Sequence, residues 1–260
     1  MTKDAQEWAS SGALNDIAAI AAVPRSGLLP ASVIALHSNT HLVQLESLQG
    51  EVSASRLRRG DKELPNGPVL VLDDTARSGR TLSALKAKIG RKTACGRDLI
   101  YAALYVRESC IRSVDRYGYV IPMSSVFAWN WRHVKEMSHY MLDMDGVLFP
   151  DAAEANENPS PIFRPTYPVR AIVTGRGEHL REHTERWLSE HEIKFYSLHM
   201  MPSSPVERDG LGGPAGFKAL KYARDPEARL FVESDVGQAK AISTASGKPV
   251  LCTQNWELYG

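Results

Sequence analysis

Residues 69–82 read VLVLDDTARSGRTL: four aliphatic residues, two adjacent carboxylates, then small and hydroxylated residues leading into a helical pattern. A short aliphatic run bounded by turn residues is the mark of a strand buried on both faces, as in a parallel sheet. In such sheets ligands collect at the carboxyl ends of the strands, where Asp73 and Asp74 stand. The amides of a helix start, together with the hydroxyls of Thr75, Ser78 and Thr81, suit a phosphate monoester. The two acids would repel that phosphate, so they are expected to face vicinal hydroxyls or a metal. A ribose 5-phosphate satisfies both demands. The stretch lacks the glycine and Gly-Lys-Ser/Thr spacing of a Walker A loop. A plain corner with a capping Asp is the alternative, but a cap needs only one acid.

Outward from this stretch, the first half alternates strands and helices. Strands are expected at DIAAIAAV (16–23), HLVQLESL (41–48), residues 69–72, LIYAALYV (99–106) and GYVIP (118–122). Helices are expected at SGLLPASVIALHS (26–38) and TLSALKAKIG (81–90), the latter closed by Gly90. A second alternation starts at HYMLDMDGVLFPD (139–151) and continues through RAIVTGRGEHLREHTERWLSEH, KFYSLHMM, GFKALKYAR, ARLFVESDVGQAKAISTASG and KPVLCT. This pattern implies an α/β protein with two domains, each a Rossmann-like parallel sheet flanked by helices. The boundary is placed near Met137, giving domains 1–136 and 137–260.

Composition narrows the partners. The 260 residues carry a net charge of +1, which offers no electrostatic case for nucleic acid. Cys95, Cys110 and Cys252 are odd in number, widely spaced and without metal-ligand spacing, which suggests a reducing cytoplasm. The opening MTKDAQEWASSGALND has no apolar run of a signal peptide, and no stretch reaches the length of a membrane span. HLREHTERWLSEH has too thin an apolar face for a membrane-surface helix.

VLVLDDTARSGRTL resembles the phosphoribosyl diphosphate (PRPP) motif of type I phosphoribosyltransferases, and the resemblance spans roughly residues 15–132. It implies that Asp73 and Asp74 hold the ribose 2- and 3-hydroxyls, while Thr75, Ala76, Arg77, Ser78, Gly79 and Thr81 form the 5-phosphate loop. VPRSGLLPASVIA resembles the family's diphosphate loop, with Arg25, Ser26 and the Gly27 amide facing the leaving group. LQGEVSASRLRRGDKELPNG has the character of the mobile loop over diphosphate, with Arg56, Arg58 and Arg59 as candidates, or of a solvated charged loop. Members acting on 6-oxopurines carry an acid where this chain has Arg77, so a purine-salvage role is not the expectation. FAWNW (127–131) falls where the family builds the hood over the acceptor; a core or interface role is equally open.

In the second half, YMLDMDGVLFPD sets Asp143 and Asp145 two apart at a strand end, so that both point the same way. Such a pair can share Mg²⁺ while one attacks phosphorus and the other moves a proton. The further ligands of a calcium-binding EF-hand loop are missing. The segment from about residue 138 to 255 resembles haloacid dehalogenase-like (HAD) phosphatases in the order of its motifs. That resemblance implies catalytic roles for Asp143, Asp145, Thr174 and Lys218, and a Mg²⁺ site of Asp143, Asp145, Glu233 and Asp235. Mg²⁺ is implied in both domains. Neither interval between the motifs has room for a folded cap, so the site is expected to be open to a large substrate.

Read together, the two resemblances imply transfer of 5-phosphoribosyl from PRPP to a glycan hydroxyl, followed by removal of the 5-phosphate. Such pairs resemble the ribofuranosyltransferase systems of bacterial polysaccharide synthesis. The acceptor would be a glycan, lipid-linked in that setting, and an oligomer is possible. Glu46, Glu51 and Asp61 are candidate general bases for the acceptor. The competing readings are a nucleobase phosphoribosyltransferase fused to a nucleotidase, and a PRPP-sensing regulator.

Overall fold

The structure, a computed structural model, describes residues 1–46, 64–122, 125–151 and 159–260. Glu51, Arg56, Arg58, Arg59 and Asp61 lie outside the described residues, as does most of the proline- and asparagine-rich stretch after Asp151. The chain divides into two compact units, Met1–Ser125 and Val126–Gly260, the division falling upstream of Met137.

In the first unit, β1 (Ala19–Ala22), β2 (His41–Val43), β3 (Val69–Ala76), β4 (Leu99–Arg107) and β5 (Arg116–Ile121) form a parallel sheet in the order β2-β1-β3-β4-β5. The aliphatic run of residues 69–72 is fully buried at the centre. Val69, Val71, Tyr101 and Ala103 pack in one cluster with Leu82 of α3 (Arg80–Ile89). The sheet also carries α1 (Thr2–Ser10) and α2 (Leu28–His37). Two differences from the expected elements bear on the site. β3 does not stop at Leu72 but runs through both acids, because Thr75 and Ala76 still pair with Tyr105 and Val106 of β4. α1 was not expected; it buries Ala5, Trp8 and Ala9, a stripe of mostly small side chains.

The second unit holds β6 (Tyr140–Leu142), β7 (Val169–Gly177), β8 (Phe195–Met201), β9 (Leu230–Glu233), β10 (Val250–Cys252) and β11 (Leu258–Tyr259). Their order is β11-β10-β9-β6-β7-β8, parallel throughout except for the β10–β11 pair. Successive residues of a strand face opposite sides of the sheet. Accordingly, Leu142, Ile172 and Val232 join one core with Trp187 and Leu188 of α4 (Arg181–Glu190), while Met141, Val173 and Phe231 join another with Phe217, Tyr222 and Ile242. Those last three come from α6 (Gly213–Arg224) and α7 (Val236–Ser246), and a short α5 (Pro205–Gly210) precedes α6. The FAWNW tract belongs to this unit. Trp131 is 1% exposed in its core, against Phe163, so it is a packing residue.

Among the described residues, no helix is long and apolar enough to cross a membrane.

Candidate functional site

In the first unit the acids sit near the carboxyl end of β3, the central strand. Asp73 and Asp74 are 8% and 4% exposed. The Asp74 amide donates to Asp73 Oδ1 at 2.9 Å, and Ser26 Oγ donates to Asp74 Oδ1 at 2.8 Å. The sequence-predicted β1–α2 loop and the β3 acids are thus brought together by a direct hydrogen bond. Burial, and then the charge of Asp74, push the Asp73 carboxyl up to about 7.

Gly27 explains how the loop reaches so close. A Cβ there would lie 2.5 Å from the Val23 carbonyl and 2.7 Å from that of Leu72. The Pro24–Arg25 peptide bond is cis, and the Arg25 side chain is exposed. After Ala76, the chain turns through Arg77, Ser78 and Gly79, which takes φ 67° and opens α3. The first amides of α3 have no partner within the helix, and Ser78 and Thr81 are exposed beside them. Thr75 Oγ1 is buried with no hydrogen-bond partner among the described residues, a hydroxyl placed for a polar ligand. Arg77 turns another way: its guanidinium donates to the Ser125 carbonyl at 2.7 Å. Glu46 is exposed beyond β2.

The second unit centres on Lys218, 2% exposed on α6. Its Nζ donates to Asp143 Oδ2 at 2.7 Å, to Glu233 Oε2 at 2.7 Å and to Gln238 Oε1 at 3.0 Å. Burial alone would depress the Lys218 ammonium, but the Asp143 and Glu233 charges outweigh it and hold the proton on. Asp143 is raised well above the carboxylate range by burial and by Glu233, with Lys218 opposing. Thr174 is buried at the end of β7, and its Oγ1 accepts from the Arg176 amide at 3.1 Å. Asp145 is grasped by Arg176, with Nε to Oδ2 at 2.9 Å and a terminal nitrogen to Oδ1 at 2.6 Å. A cavity of about 660 Å³ opens on Asp143, Asp145, Lys218, Ser234, Asp235 and Gln254. No aromatic side chain lines it among the described residues.

The sequence-predicted residues of this half are therefore brought together, but not as the expected Mg²⁺ ligand set. Among the described residues, no three Asp, Glu, His or Cys side chains form a group able to hold a metal ion. The reason lies in their hydrogen bonds. Glu233 Oε1 accepts from the Ser234 and Asp235 amides and Oε2 from Lys218. Both oxygens of Asp145 face Arg176, and Asp235 caps α7 by accepting from the Gln238 amide at 2.6 Å. In this arrangement the residues do not fit a ready Mg²⁺ site, and the steps considered below run through side chains alone. Sequence reasoning missed Arg176 and Gln238. A lone basic residue directly after a strand-end Thr-Gly was the one available signal for the first; nothing marked Gln238.

No family model matches the chain, and no curated protein matches it. Among solved structures it is similar to the xanthine-guanine-hypoxanthine phosphoribosyltransferase of Helicobacter pylori, at 18% identity and a TM-score of 0.33, over 46% of this chain and 81% of that one. It is similar to a purine phosphoribosyltransferase from Pyrococcus horikoshii at 17% identity and a TM-score of 0.34, over 49% and 86% of the two chains. Orotate phosphoribosyltransferase from Aeropyrum pernix is similar at 21% identity and a TM-score of 0.33, over 45% and 69%.

Proposed function

We propose that the chain carries two sites used in sequence, a PRPP-dependent transferase in the first unit and a HAD-like phosphomonoesterase in the second. The observation that carries this reading is the presence, at strand ends of both parallel sheets, of buried acids tied to a partner suited to phosphoribosyl chemistry. Ser26 joins Asp74 in one unit, and Lys218 joins Asp143 to Glu233 in the other.

In the first site, Asp73 and Asp74 accept hydrogen bonds from the ribose hydroxyls. Thr75, Ser78, Thr81 and the first amides of α3 hold the 5-phosphate, and Arg25 with the Gly27 amide faces the departing diphosphate. Charge developing on that leaving group is where such donors lower the barrier. Attack by an acceptor hydroxyl on the face opposite the diphosphate gives a β-linked 5-phosphoribosyl product.

In the second site, Asp143 attacks the phosphorus of that product, and the sugar oxygen leaves with a proton from Asp145. Water then gives a proton to the Asp145 carboxylate and attacks the phosphorus of the acyl phosphate, breaking its bond to Asp143, so that inorganic phosphate leaves and both acids return to their starting forms. Lys218 keeps the buried nucleophile next to a fixed positive charge. The net result is transfer of an unphosphorylated ribofuranosyl group. A polar cavity whose described lining residues include no aromatic side chain supports a sugar-borne phosphate over a nucleotide, whose base an aromatic ring would stack. We therefore take a glycan hydroxyl, on a lipid-linked carrier, as the acceptor.

The test incubates the full chain with PRPP, Mg²⁺ and a panel of short glycans and free nucleobases, following product mass, diphosphate and phosphate. An Asp143→Asn variant runs in parallel. A glycan gaining one ribose with wild type, and one phosphoribose with the variant, is the expected result. Diphosphate release only with a nucleobase would replace the glycan reading by the nucleotide one, and tight PRPP binding without turnover would replace both by a sensor.

A further inference from the structure

The cavity of the second unit presents a charge problem to any phosphate ester. Asp143, Asp145, Asp151 and Asp235 all line it, and Lys218 is the one basic residue among its described lining residues. That ammonium is already shared among Asp143, Glu233 and Gln238. A phosphate dianion entering there meets more negative than positive charge. A second cation stands at the edge. Arg176 follows Gly175, which lines the cavity, and its side chain is 14% exposed. The guanidinium lies 4.8 Å from the ring centroid of the buried Trp187, so a flat surface supports it while its N–H groups point at Asp145. A planar fork of this kind binds carboxylate and phosphate in the same bidentate geometry.

We propose that Arg176 is a phosphate-binding residue of this site, parked on Asp145 in the free protein and drawn onto the phosphoryl oxygens when an ester binds. The exchange has a second consequence. While Arg176 occupies both Asp145 oxygens, neither faces a leaving group; its transfer to phosphate frees them, and one then takes up a proton from solvent to pass to the leaving oxygen. Substrate binding thereby releases the residue that the reaction needs. This rests on the phosphomonoesterase reading for the role of Asp145, but the anion site itself does not require turnover.

The test uses inorganic phosphate as the probe, titrated by calorimetry into the full chain in chelator-containing buffer, where no divalent cation contributes. Arg176→Gln is expected to weaken phosphate binding by about tenfold or more, the scale of losing a charge-assisted pair, and Arg176→Lys by less. Asp145→Asn removes the competitor for Arg176 and is expected to tighten phosphate binding, an increase that a poorly folded variant would not give. Phosphate is also expected to change Trp187 emission, a change absent from Trp187→Phe. In turnover of ribose 5-phosphate, Arg176→Gln should raise KM about tenfold with a smaller change in kcat. Equal phosphate affinity in wild type and Arg176→Gln, or weaker binding in Asp145→Asn, would overturn the proposal. So would a fall in kcat with KM and phosphate affinity unchanged, the mark of a residue that only positions Asp145. Failure of the parent reading has its own signature: no phosphatase activity in wild type while the phosphate titrations behave as stated.

Discussion

Asp73 holds a negative charge in a place that resists it, and Asp73→Asn should therefore stabilise the free protein while weakening its ligand binding. The side chain is 8% exposed and, among the described residues, forms no ion pair; burial and Asp74 raise its carboxyl from 3.8 to about 7. Each tenfold difference in proton affinity between folded and unfolded states is worth about 1.4 kcal/mol. The gap of about three such steps gives a ceiling of about 4 kcal/mol above pH 7, and about 2 kcal/mol once Asp74 is credited with half of the shared repulsion. Folded Asp73 binds its proton more tightly than unfolded Asp73, so wild type loses stability as pH climbs from about 4 to about 7. The Asn variant escapes that loss. Its amide oxygen can still accept from the Asp74 amide, as Oδ1 does at 2.9 Å. For a unit of this size about 2 kcal/mol corresponds to roughly 6 °C. Thermal scans at pH 8 and pH 4 measure the difference, and hydrogen exchange on peptides covering 69–76 and 99–107 assigns it to the first unit. An Asn variant less stable than wild type at pH 8, or an advantage of the same size at pH 4, would refute the reasoning.

Gly27→Ala should destabilise the first unit by about 2 kcal/mol or displace the loop that carries Ser26, because its Cβ would meet two backbone carbonyls that cannot rotate away; denaturant melts and PRPP titration read the two outcomes. Lys218→Met leaves Asp143 and Glu233 buried without their cation and should cost about 3–5 kcal/mol, part of it recovered by adding Glu233→Gln. Lys248 donates to the carbonyls of Tyr222, Asp225 and Ala228 at 3.0, 2.6 and 3.1 Å, closing the end of α6, so Lys248→Met should lower stability by about 2 kcal/mol with no change in either site. In the proposed transferase site, ribose hydroxyls donating to Asp73 would favour its ionised form, so PRPP binding at pH 7 should release about half a proton, seen in calorimetry as a dependence on buffer ionisation enthalpy that vanishes by pH 9.

The strands that build both sites were legible because their aliphatic runs are long enough to be buried on both faces, and the central position of residues 69–72 confirms what the composition of that run implies. The end of β3 was not legible: two acids look like a strand terminus, yet backbone pairing with β4 is indifferent to side-chain charge and continues to Ala76. α1 escaped notice because Ala5 and Ala9 contribute too little hydrophobicity to mark a face around Trp8. In the candidate sites, residue types pointed to the acids and to Lys218, but not to how they are neutralised. Arg176 reaches Asp145 across 31 residues and Gln238 reaches Lys218 across 20, separations at which spacing carries no signal.

Both units bury a carboxyl raised above its ordinary range, Asp143 and Asp73, but among the described residues only Asp143 is given a cation. Asp143 is 5% exposed at the cavity wall, and a phosphoryl group would offer it no positive charge, so the protein supplies one: Lys218 is buried beside it and bridges it to Glu233. Asp73 has no such cation among the described residues, and burial with the charge of Asp74 raises its carboxyl to about 7. A cation fixed there would satisfy the acid permanently and remove its preference for hydroxyl donors. In the proposed site, leaving it strained would make the empty site less stable and the occupied site more favourable, since a diol would supply the O–H groups that the carboxylate lacks. The cation that partly offsets the burial of Asp143 is thus built into the fold, whereas Asp73 would gain its compensation only from a bound diol.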